Sequence, residues 1–90
     1  MITLRDFYAD WCSPCRIQFK IIKKIKDEFG GDIRFENIDI DKNKDLVKKF
    51  SVSGVPTIIL EKDKEERERF VGITPGSELR RALLKLIKES

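Results

Sequence analysis

The only two cysteines of this chain stand in Trp11-Cys12-Ser13-Pro14-Cys15, and the chain has no histidine. Two thiols with two residues between them can close a small disulfide ring and reopen it by thiol exchange. The run before them, Leu4-Arg5-Asp6-Phe7-Tyr8-Ala9-Asp10, reads as a strand; the run after them, Arg16 to Phe29, reads as a helix. Cys12 therefore falls at a helix start, where unpaired backbone N–H groups and the helix dipole favour a thiolate over a thiol. That makes it the candidate nucleophile. Pro14 suits the first helical turn because it needs no N–H partner there.

Other uses of the pair fit the residues less well. A structural zinc takes four ligands, and two cysteines without histidine supply only two. A metal site would have to be shared between chains, as zinc or as an iron–sulfur cluster bridging a dimer. We expect no metal and no other cofactor. A disulfide closing so short a ring would add little stability, which argues against a purely structural bond in a binding module.

The elements that must position these thiols follow from hydrophobic spacing. Ile2, Leu4, Phe7 and Tyr8 suit a central strand buried on both faces. Ile17, Ile21, Ile22, Ile25 and Phe29 form the expected apolar stripe of the first helix, which Gly30-Gly31-Asp32 ends. Ile33 to Ile40 is the second strand, and Asp41-Lys42-Asn43 breaks it. A short helix with Leu46, Val47 and Phe50 on its inner face comes next. Ser53-Gly54-Val55-Pro56 is a turn signal before the strand Thr57–Leu60. Lys62 to Glu65 should form a hairpin turn, with a return strand to Phe70 and Val71 closed by Gly72. Thr74 is expected to cap the last helix with Pro75 at its first position, and Leu79, Ala82, Leu83, Leu86 and Ile87 to be its buried stripe. The order is β-α-β-α-β-β-α, with the first two strands parallel and the last two an antiparallel hairpin.

Ninety residues, 40% hydrophobic and 39% charged, suit one globular domain, 1–90, with a heavily solvated surface. The net charge of +3 is spread along the chain, so neither a nucleic acid nor a membrane is expected as partner. Lys20, Lys23, Lys24 and Lys26 read as a solvated helix face. No stretch approaches the roughly 18 apolar residues of a membrane span, and Met1 to Asp6 carries no signal-like segment. The expected location is cytoplasmic, where thiols are kept reduced.

Several motifs in order give the chain a family resemblance. Asp6-Phe7-Tyr8-Ala9-Asp10-Trp11-Cys12-Ser13-Pro14-Cys15 resembles the D-F-W-A-x-W-C-G-P-C of the thioredoxin family. Asn37 to Asn43 is similar to its next parallel strand and turn, Gly54-Val55-Pro56-Thr57 to its G-[VI]-P-T, and Val71-Gly72 to the valine–glycine before its final helix. The resemblance runs from about Asp6 to Leu79. It departs in four places. The chain begins at what is usually the family's second strand, Ser13 replaces a glycine, Asn37 stands for a lysine near the buried aspartate, and Lys20 for a helix proline. The last change implies an unkinked helix.

The resemblance implies an α/β minimal thioredoxin fold, a four-stranded mixed sheet flanked by three helices. It implies a thiol–disulfide oxidoreductase that reduces protein disulfides through Cys12 as nucleophile and Cys15 as resolving thiol, with Asp6 as the buried proton acceptor and donor. Pro56 would be cis and would offer the Val55 backbone to a bound peptide. Trp11, Gly72 and Ile73 would line the contact surface, and Ser13 and Pro14 would shape the ring. The implied partners are disulfide-containing proteins and a thioredoxin reductase or equivalent electron donor, with the chain a monomer. A glutaredoxin, an oxidase or an isomerase could use the same scaffold. The Ser13-Pro14 pair differs from the Pro-Tyr usual in glutaredoxins, and a cytoplasmic location argues against an oxidase.

Overall fold

A computed structural model describes residues 1–89. In chain order the elements are β1 (Ile2–Tyr8), α1 (Ser13–Phe29), a 3₁₀ turn (Gly30–Asp32), β2 (Ile33–Asp39), α2 (Lys44–Lys49), β3 (Thr57–Lys62), β4 (Glu65–Val71) and α3 (Gly76–Lys88). The strands form one mixed sheet in the order β2-β1-β3-β4. β1 runs parallel to β2 and antiparallel to β3, and β3 pairs antiparallel with β4. This is a thioredoxin fold.

β1 lies inside the sheet, so both of its edges are paired, and its alternation sorts residues onto two sides. Leu4 packs in the main core with Ile22 and Ile25 of α1 and with Leu79, Leu83 and Leu86 of α3. Phe7 points the other way, into a smaller cluster with Ile38 and Ile59 that Leu46 and Phe50 close from the α2 side. Two helices therefore cover one face and α2 covers part of the other. By the same alternation Asp6 falls on the Leu4 face, under α1.

The side that α2 leaves uncovered is held by charge. Arg5 lies flat on it, its Nε 3.1 Å from Glu36 and one terminal nitrogen 2.8 Å from Glu61. Its guanidinium also sits 4.9 Å from the centre of the Phe50 ring. An arginine is suited here because its planar fork serves two carboxylates while its stem covers apolar surface.

Several expectations need correcting. Ile17 and Ile87 are 53% and 39% exposed, so neither belongs to a buried stripe. In α1 the inner positions are Cys15, Gln18, Ile22 and Ile25, a regular helical spacing that places a polar residue where Ile17 was expected to serve. Helix α3 begins at Gly76 with Pro75, not Thr74, at the cap position. Thr74 is otherwise engaged: its hydroxyl donates to Gly72 O at 3.2 Å and its backbone pairs with Gln18. The β3–β4 turn needs no glycine, because Asp63 and Lys64 themselves adopt φ of 51° and 70°. The Met1 ammonium, 3.0 Å from Asp63, ties that turn to the chain start. Lys20 leaves α1 continuous over 17 residues.

Candidate redox site

The two cysteines meet where β1 hands the chain to α1. Cys12 is the N-cap of α1, with Ser13 and Pro14 filling the next two positions. Its N–H donates to Ala9 O at 3.1 Å, which fixes the tight entry into the helix. Its Sγ accepts the N–H of Cys15 at 3.2 Å, so the sulfur does for the helix end what a capping oxygen usually does. No acidic residue occupies the first turn of α1 to oppose a negative sulfur. Cys12 and Cys15 are joined by a disulfide, with Cα atoms 5.3 Å apart.

The pair is more enclosed than its place at a helix start suggests. Cys12 is 5% and Cys15 1% exposed, so both residues are buried. Ala9 completes their buried cluster, with Tyr8, Ile40 and Val55 packed against it. Around this centre the surface is apolar: Trp11 is 68%, Val71 71% and Ile73 46% exposed. Trp11 is held by its indole N–H, which donates to Asp41 at 3.0 Å. Asp41 lies just past β2, 30 residues away in sequence, so this bond leaves no local trace in the motif.

The Val55–Pro56 peptide is cis. Pro56 is buried and its carbonyl accepts the Gly72 N–H at 2.9 Å. Gly72 has φ +89°, a value that a side chain would resist. Among the described residues, Val55 takes part in no backbone hydrogen bond outside the helices and strands.

Asp6 is wholly buried and neither carboxylate oxygen has a hydrogen-bond partner. It sits in register between Asn37 on β2 and Ile58 on β3, and Asn37 itself is exposed. Burial alone pushes the Asp6 carboxyl from an ordinary 3.8 up to about 7. A proton held at that strength can be given or taken near neutral pH. Gln18, which sequence reasoning did not single out, is also fully buried, one turn of α1 beyond Cys15. Its signal was its place on the Cys15–Ile22–Ile25 stripe. Among the described residues no three His, Cys, Asp or Glu side chains gather where they could hold a metal ion, and no helix is long and apolar enough to cross a membrane.

Comparison with known proteins agrees with this geometry. The family model described as Thioredoxin matches residues 1–85. Thioredoxin of Listeria monocytogenes is 33% identical over 86 residues, which cover 96% of this chain and 84% of that protein. Thioredoxin of Bacillus subtilis is 32% identical over 84 residues, covering 93% and 81%. Among solved structures, a point mutant of thioredoxin from Halobacterium salinarum superposes with a TM-score of 0.90 at 31% identity, covering 99% of this chain and 77% of that one.

Proposed function

The chain belongs to the thioredoxin family and is a thiol–disulfide oxidoreductase, and from that premise we propose that it works as a protein-disulfide reductase. The observation that carries this is the Cys12–Cys15 disulfide at the cap of α1; in this reading the buried Asp6 carboxyl, poised near neutral pH, is the proton acceptor. In the reduced protein the helix end favours a Cys12 thiolate, which attacks one sulfur of a substrate disulfide. A mixed disulfide forms, and the other substrate sulfur leaves as a thiolate that takes a proton from water. Cys15 then gives its proton to Asp6 and attacks the Cys12 sulfur. The Cys12–Cys15 bond closes and the second substrate sulfur departs as a thiolate, which takes up the proton that Asp6 gives back. Two electrons have passed to the substrate, and a thioredoxin reductase or equivalent dithiol donor restores them.

The surroundings support a protein substrate. The Val55 backbone beside cis-Pro56 has free hydrogen-bonding groups to pair with an extended peptide segment, in the manner of an added strand. Trp11, Val71 and Ile73 offer apolar contact on either side of it, and Gly72, without a side chain, leaves the approach open. Ser13 and Pro14 shape the ring and the first turn of α1. We place this activity in the cytoplasm, with the chain acting as a monomer.

Trapping tests the assignment of roles. Cys15→Ser, offered a disulfide-bonded protein, accumulates a mixed disulfide through Cys12 that mass spectrometry detects, while Cys12→Ser accumulates none. A mixed disulfide through Cys15 in the Cys12→Ser variant would reverse the two roles.

A further inference from the structure

Gln18 makes two hydrogen bonds, both to one residue far away in sequence. Its Nε2 donates to Thr74 O at 3.0 Å, and its Oε1 accepts the Thr74 N–H at 2.7 Å. Gln18 is 0% and Thr74 4% exposed, so water does not compete for either bond. A carboxamide carries a donor and an acceptor side by side at every pH, the complement of a peptide N–H and C=O. The shorter Asn would fall a methylene short of the same reach. The side chain therefore acts as one rung of a β-ladder between α1 and the turn that follows β4.

That turn borders the redox site. It contains Gly72, whose N–H is held by Pro56 O, and Ile73, part of the apolar rim. On one side it is fixed to the cis-proline, and on the other only Gln18 reaches it by hydrogen bonds from the helix that bears both cysteines. We infer that Gln18 is a positioning residue for protein substrates, its carboxamide holding the Gly72–Thr74 turn, and with it Ile73, at a set distance from the cysteine helix. This rests on the reductase reading above. The consequence is selective. Losing the rung loosens the surface that a protein substrate touches but leaves Cys12, Cys15 and their helix cap in place.

The test is a comparison of wild type with Gln18→Met, which keeps length and burial but has neither donor nor acceptor for Thr74. With a disulfide-bonded protein substrate, KM rises about tenfold, part of what two lost buried hydrogen bonds amount to, while kcat holds within about twofold. With the small aromatic disulfide 5,5′-dithiobis(2-nitrobenzoic acid), which needs no docking surface, the second-order rate stays within about twofold of wild type. Unchanged KM with the protein substrate overturns the inference. So does an equal loss toward both substrates, which would mean that Gln18 acts on the cysteines themselves. A wild type that reduces no protein disulfide overturns the reductase reading instead. Should Gln18→Met fail to fold, amide exchange in the wild type decides: the Thr74 N–H exchanges as slowly as the amides of β3, whereas exchange at the rate of an open turn overturns the inference.

Discussion

Replacing Asp6 by Asn tests the buried carboxyl through stability as well as through rate. In the folded chain burial raises this group from 3.8 to about 7, and neither oxygen finds a partner. Below pH 3.8 it is protonated whether the chain is folded or not, and it adds no pH dependence. Between 3.8 and about 7 the unfolded chain gives up the proton while the folded chain keeps it, so rising pH favours unfolding. Above about 7 both are ionised and the loss is complete. At about 1.4 kcal/mol per tenfold of proton affinity, the interval corresponds to about 4 kcal/mol, a large share of the roughly 5–15 kcal/mol that holds a domain folded. Asn is the same size and neutral at every pH, so the variant lacks this decline. The assay is urea unfolding of the disulfide-closed proteins from pH 3 to 9. Its cysteines do not titrate, and the chain has no histidine to add a transition of its own. The wild type should lose about 4 kcal/mol relative to Asp6→Asn across that range, most of it by pH 7. Parallel curves for the two proteins would refute the reasoning. The same substitution should slow release of the mixed disulfide at pH 7 by at least about tenfold. The deficit should shrink above about pH 8.5, where a thiol ionises without a base.

The remaining predictions concern what holds the site in place. Leu83→Ala empties a fully buried position between α3 and the sheet and should cost about 3 kcal/mol by chemical denaturation. A cost under about 1 kcal/mol would mean that the α1–α3 face is not the main core. Arg5→Met strands Glu61 on the uncovered side of the sheet, leaves Glu36 with Arg34 alone, and should cost about 2 kcal/mol. Adding Glu61→Gln to it should recover part of that loss, and a strictly additive pair would show that the two side chains are uncoupled.

The order of elements was legible because each carries its own period. Apolar residues alternate or run together in the strands, and they recur every three or four residues in α1 and α3. The position of the cysteines at the start of α1 follows from those periods and from Pro14 alone. What stayed hidden depends on partners distant in the chain. Ile17 looks like core by type, but the inward face of α1 runs through Cys15, Gln18 and Ile22, and a buried amide is recognisable only once Thr74 stands opposite it. The same contact accompanies the shift of the α3 cap from Thr74 to Pro75: the Thr74 carbonyl accepts from Gln18, and the first helical N–H groups donate to Pro75 O. The enclosure of Cys12 comes from Ile40 and Val55, which belong to other elements. The burial of Arg5 depends likewise on Glu36, Glu61 and Phe50 meeting across three elements.

The most direct test of the whole account is the reduction potential of the Cys12–Cys15 couple, measured by equilibration with glutathione and quantified by thiol alkylation. A reductase is expected near about −270 mV, the general figure for thioredoxins rather than one worked from this chain, with full reversibility in both directions. A potential near about −120 mV would mark an oxidant, and a pair that never equilibrates with any dithiol would contradict the account outright.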